Sequence, residues 1–127
     1  MLTKKAVTQL SYQIIGCAIK VHRNLGPGLL ESIYEECLKH ELLKLIVPII
    51  YDGVEMTTRL VVDLLVNDCI VVEIKALEET LPVHEAQLLT YMKVLKKPQG
   101  LLINFFTTNI TRSMKPFVNE YFQIKVS

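Results

Sequence analysis

The sequence predicts an α/β protein, a β-sheet covered by helices in the order α-α-β-β-β-α-β. Three observations carry that expectation. Apolar residues recur at helical spacing up to Leu45, and the period then changes to β-rich apolar runs between Ile46 and Ile74. A third helical pattern follows Pro82 and leads into another apolar run at Leu101.

In the first helix, Val7, Leu10, Ile14, Cys17/Ala18 and Val21 share one face, with Thr3 as N-cap and Gly26-Pro27-Gly28 as the stop. The second carries Leu30, Ile33/Tyr34, Cys37/Leu38, Leu42 and Leu45 against a solvated side of Glu35, Glu36, Lys39 and Lys44. The first strand is expected over Ile46 to Tyr51, closed by Asp52-Gly53 as a hairpin turn. Pro48 lacks an N–H donor, so that strand is expected at a sheet edge or irregular. Leu60 to Val66 and Cys69 to Ile74, joined by Asn67-Asp68, read as a second hairpin covered on both faces. The third helix starts near Thr80 and Pro82, runs through Ala86, Leu88, Leu89, Met92 and Leu95, and ends at Lys96-Lys97 before Pro98. Leu101 to Phe106 is a further buried strand. The tail, with Phe117, Val118, Tyr121, Phe122 and Ile124, reads equally as strand or helix.

Composition bounds the function. A chain of 127 residues makes one domain, residues 1–127, and 50% hydrophobic residues exclude disorder. Fourteen Lys+Arg against 13 Asp+Glu argue against a generally basic nucleic-acid coat, while leaving room for a local basic groove such as Lys93, Lys96 and Lys97. Cys17, Cys37 and Cys69, an odd number among apolar neighbours, read as reduced core thiols of a cytoplasmic protein. Thr8, Gln9, Ser11, Tyr12 and Gln13 break the apolar stretch a signal peptide needs, and no run approaches the ~18 residues of a membrane span. No membrane partner is expected.

Three polar residues interrupt the apolar hairpin. Glu73 and Lys75 are two apart and leave one face of their strand, and closure through Asn67-Asp68 brings Asp63 near Glu73. Two carboxylates and an ammonium in an apolar sheet are costly unless they are paired or bind a metal. Two readings therefore stand at this point. One is a structural ion pair of Lys75 with Asp63 or Glu73. The other is a hard-oxygen site for Mg²⁺ or Mn²⁺. Glu31 and Tyr34, three apart on the second helix, read as ordinary capping or as part of a site. His84, Gln87 and Tyr91 form a stripe on the third helix with the same ambiguity.

Taken in order, the motifs resemble a known family. Val21-His22-x-x-Leu25-Gly26-Pro27-Gly28-x-x-Glu31-x-x-Tyr34 resembles the GxxExxY proteins, placed within the PD-(D/E)XK nuclease superfamily. Asp63 with Glu73-Ile74-Lys75 is similar to that superfamily's Asp…Glu-x-Lys core. Gln87-Leu88-Leu89-Thr90-Tyr91 is similar to the Gln-x-x-x-Tyr motif of its exonuclease-like branch. The likeness runs from about Thr3 to Phe106. It departs where Leu45 runs directly into Ile46-Val47-Pro48, and where Val61-Val62 replaces an arginine before Asp63.

The resemblance implies a restriction-endonuclease-like core, a mixed β-sheet flanked by helices, and metal-dependent hydrolysis of phosphodiester bonds in DNA. It implies that Asp63, Glu73 and the Ile74 carbonyl bind Mg²⁺ (or Mn²⁺), with Glu31 reaching in directly or through water. Lys75 would then position or help deprotonate the attacking water, and Gln87 and Tyr91 would orient the site or the nucleic-acid backbone. Small nucleases of this shape often pair as homodimers to cut two strands. The rival reading is a catalytically inactive module of the same fold that binds nucleic acid or a protein partner.

Overall fold

The computed structural model describes residues 3–45, 47–55 and 60–124. Two helices come first, α1 (Lys4–Leu25) and α2 (Glu31–Leu42), the latter running on into a 3₁₀ turn at Leu43–Leu45. Strands β1 (Ile49–Glu55), β2 (Leu60–Val66) and β3 (Ile70–Lys75) follow, then α3 (Pro82–Leu95) and β4 (Gln99–Asn104). A 3₁₀ turn at Ile110–Ser113, β5 (Met114–Val118) and the short α4 (Glu120–Ile124) complete the chain. The tail is thus strand first and helix second.

Local chemistry sets these bounds. The Thr3 hydroxyl accepts the Ala6 N–H at 3.0 Å, and Gly26 at φ 70° ends α1. Pro82 opens α3, where the missing donor costs nothing, and Lys96 closes it in the left-handed conformation. Asn67 and Asp68 both take positive φ, as a tight hairpin turn requires.

The five strands form one mixed sheet in the order β1-β2-β3-β4-β5, with β3 and β4 parallel and the other pairs antiparallel. β1 lies at the edge, and Pro48 precedes it rather than lying within it. It begins only at Ile49, and Asp52-Gly53 lies inside the strand: Gly53 pairs with Val62. The expected turn there is therefore wrong. The extended backbone of β1 continues to Glu55 because β2 offers it a ladder as far as Leu60. The link between β1 and β2, residues 56–59, and Ile46 lie outside the described residues.

Strand alternation sends side chains to two cores. Leu64, Val66, Ile70, Val72, Ile74, Leu101, Ile103 and Phe105 pack against α1 and α2, which contribute Val7, Leu10, Ile14, Ala18, Val21, Tyr34, Leu38 and Leu42. On the other face, Leu65, Val71 and Leu102 meet Leu88 and Met92 of α3. Each fully buried side chain of this kind contributes about 1.5–3 kcal/mol. The double cover explains why the strands read as nearly unbroken apolar runs.

Candidate active site

β3 alternates between the two cores, so Glu73 and Lys75 leave the sheet with Val71, on the side of α3. Glu73 is buried at 7% exposure, whereas Lys75 is half-buried at the end of the strand. β2 and β3 pair from Val66↔Ile70 to Leu64↔Val72. Beyond that point carboxylates stand in for the backbone ladder. Asp63 Oδ2 accepts the Ile74 N–H at 2.7 Å, and Glu73 Oε1 accepts the Asp63 N–H at 3.2 Å.

The same bonds orient a third oxygen. Lys75 turns its carbonyl to β4, where it accepts the Phe105 N–H at 2.9 Å. Its neighbour Ile74 faces the other way, because successive residues of a strand alternate their backbone groups. The Ile74 N–H already reaches Asp63, so its carbonyl points into the same gap between β2 and β3.

Two carboxylates share that gap. Burial raises the Glu73 carboxyl well above the usual carboxylate range, and the Asp63 charge adds to the rise, while the Asp63 N–H and Lys75 oppose it. Glu31 sits at the first position of α2. Burial raises its carboxyl too; Lys75 and His84 oppose the shift and Asp63 reinforces it, so α2 brings Glu31 into the same electrostatic neighbourhood. Among the described residues Lys75 forms no salt bridge.

α3 supplies the remaining wall. Gln87 is exposed one turn before the half-buried Tyr91, close enough for its amide to favour the ionised phenol. Burial raises the Tyr91 phenol, and Glu73 and Asp63 raise it further, which places Tyr91 beside the carboxylates. His84 Nδ1 accepts the Leu81 N–H at 2.9 Å and so fixes the helix start near Glu31. The structure thus gathers Glu31, Asp63, Glu73, Ile74, Lys75 and Tyr91 at the C-terminal end of β3, with Gln87 one turn before Tyr91. Among the described residues no group of three or more His, Cys, Asp and Glu side chains is arranged to hold a metal ion. The close oxygen set is two carboxylates and one carbonyl.

The C-terminal end of the lysine ridge is placed elsewhere. Lys97 pairs with Asp68 at 2.7 Å, at the turn that precedes β3. Strand length puts that end about 17 Å from Lys75. Lys97 is therefore occupied and remote from the carboxylates.

One supporting residue escaped the sequence reading. Asn104, 6% exposed, accepts the Leu77 and Phe106 N–H groups and donates to the Leu77 carbonyl, tying the segment after β3 to the segment after β4. Its signal was the one that exposed Asp63 and Glu73, a polar residue inside an apolar strand.

Comparison with known proteins gives the family. No curated protein and no solved structure matches the chain significantly. A family model described as the PD-(D/E)XK nuclease superfamily matches residues 8–117, a span that includes every residue gathered at the end of β3. By that match the chain belongs to the PD-(D/E)XK nuclease superfamily.

Proposed function

We propose that this protein is a metal-dependent nuclease of the GxxExxY group that hydrolyses phosphodiester bonds in DNA. The observation that carries the reading is the opening of the β2–β3 ladder at Asp63 and Glu73, beside a lysine with no ion-pair partner among the described residues. The sequence order Gly28…Glu31…Tyr34 supports the group assignment.

The donor set fits a hard divalent cation. Asp63, Glu73 and the Ile74 carbonyl offer oxygen alone, the preference of Mg²⁺ or Mn²⁺, and a bound cation would favour the ionised form of Glu73 that burial opposes. Glu31 would join them directly or through water. When bound, the cation supplies charge neutralisation at the phosphate and a water of lowered pKa. Lys75 holds the attacking water and takes part in its deprotonation. Tyr91, kept protonated beside the carboxylates, offers a hydrogen bond to the nucleic-acid backbone.

Purified protein is expected to nick plasmid or oligonucleotide DNA with Mg²⁺, and Asp63→Ala and Lys75→Ala are expected to abolish nicking. Absence of cleavage on single-stranded, double-stranded and branched DNA would overturn the reading. Calorimetric metal binding without turnover would instead support a nuclease-fold module that binds without cutting, the role that a net charge of +1 and a remote Lys97 would suit.

A further inference from the structure

Tyr34 takes no part in the chemistry above, yet it is tied to both sides of the site. Its side chain is wholly buried and stacks on Phe105, with ring centroids 4.5 Å apart and planes 11° apart. A buried phenol needs hydrogen-bond partners. This one finds them on the backbone of the turn that leads into its own helix. The hydroxyl donates to the Gly26 carbonyl at 2.6 Å and accepts the Leu29 N–H at 3.1 Å.

That turn has little else to define it. Leu30, the N-cap of α2, offers no side-chain cap, and Gly26 and Gly28 take φ values of 70° and 96° that glycine alone adopts freely. Phe105, beneath the Tyr34 ring, donates its N–H to the Lys75 carbonyl at 2.9 Å. His22 leans on the same ring, and its Nε2 lies 2.7 Å from the Thr107 carbonyl. A continuous line of contacts therefore runs from Lys75 through Phe105 and Tyr34 to the turn that ends at Glu31.

We propose that Tyr34 is a positioning residue of the site: its hydroxyl fixes the Gly26–Leu29 turn and so holds Glu31 beside Lys75 and Asp63. The role given to Glu31 rests on the nuclease reading; the clamp that places it does not. Tyr34→Phe keeps the stack on Phe105 and returns the Gly26 carbonyl and the Leu29 N–H to water. The turn then loses its anchor while the core stays filled.

The test is a double-mutant cycle on Mn²⁺ affinity, measured by calorimetry in wild type, Tyr34→Phe, Glu31→Gln and the double variant. Each single variant is expected to weaken Mn²⁺ about 10–100-fold, the usual effect of disturbing groups that support a metal site. The double variant is expected to bind no more weakly than Glu31→Gln, because Tyr34 acts through Glu31. On an oligonucleotide, Tyr34→Phe lowers kcat with KM unchanged. Full additivity, or unchanged Mn²⁺ affinity in Tyr34→Phe, overturns the proposal, since a tyrosine that only stabilises the fold would move the melting temperature alone. Should wild type bind no Mn²⁺, the nuclease reading fails and amide exchange judges the clamp. Exchange about tenfold faster at Leu29 and Glu31 in Tyr34→Phe, with Val72 and Ile103 unchanged, sustains it. Unchanged exchange at Leu29 overturns it.

Discussion

Asp63 and Glu73 complete each other's strands: the Asp63 carboxylate accepts the N–H of Ile74, and the Glu73 carboxylate accepts the N–H of Asp63. The exchange fixes two acids at the place where the ladder opens. It also leaves their like charges close together in a buried setting, where the proton on Glu73 becomes hard to remove.

A pH-dependent metal effect follows. Burial, reinforced by the Asp63 charge, pushes the Glu73 carboxyl up to about 8 from its ordinary 4.5. Between these values the native state holds a proton that the unfolded chain has released, so stability falls as pH rises. Mg²⁺ bound to the ionised pair offsets that loss. Thermal melts should therefore show a larger rise in Tm on adding Mg²⁺ at about pH 8 than at about pH 6, by roughly 2–8 °C for each kcal/mol of linked stabilisation. Glu73→Gln should flatten both the pH slope and the Mg²⁺ response. An equal Mg²⁺ response in that variant would count against the pair as the binding site.

Lys75 separates catalysis from stability. It shares a face with Glu73 yet forms no salt bridge among the described residues. Lys75→Met is therefore expected to lower the rate of Mg²⁺-dependent cleavage by about 10²–10⁴, the range of a proton-transfer group. Its Tm should shift by only a few degrees. A lysine in a buried structural pair would behave otherwise, with a loss of about 3–5 kcal/mol on removal of one partner. Parallel cleavage rates and melting curves distinguish the two.

Much of this was legible in the residues, for a physical reason. Amphipathic period marked α1 and α2, and double burial turned β2, β3 and β4 into apolar runs in which Asp63 and Glu73 stood out. What the pattern missed depended on pairing at a distance. Asp52-Gly53 carries a turn signature, but β2 offers it a ladder, and tertiary pairing outweighs local preference. The tail was ambiguous because β5 is an edge strand and α4 is five residues long. The clamp made by Tyr34 was hidden as well, since spacing cannot show that a hydroxyl bonds to backbone eight residues earlier.

Asn104 holds the rim of the site together. Its amide serves Leu77 N–H, Leu77 carbonyl and Phe106 N–H at 3.1, 2.8 and 3.1 Å, all from a nearly buried position. Asn104→Ala leaves those backbone groups to find water in a confined space, at a cost of about 1–3 kcal/mol for each group left unmatched. Denaturant melts should show that loss, and limited proteolysis should find faster cleavage between Ala76 and Leu81. Asn104→Asp keeps both acceptor bonds, so it should retain more stability than Asn104→Ala. The reverse order would mean that the Leu77 carbonyl bond dominates.

Gly100 sets how closely α3 approaches the sheet, and hence where Tyr91 lies. A Cβ at this position would stand 2.6 Å from Met92 Sδ and 3.0 Å from Leu88 Cδ1. Gly100→Ala must therefore push the helix outward or force Met92 from its rotamer, costing about 1–3 kcal/mol in stability. Tyr91 precedes Met92 on the same helix, so an outward shift carries it away from Glu73 and lowers the cleavage rate as well. In a Met92→Ala background the nearest clash is gone, and Gly100→Ala should cost markedly less than it does alone. A cycle of chemical denaturation on the four proteins measures that coupling. Strict additivity would show that Gly100 is required by something other than its contact with α3.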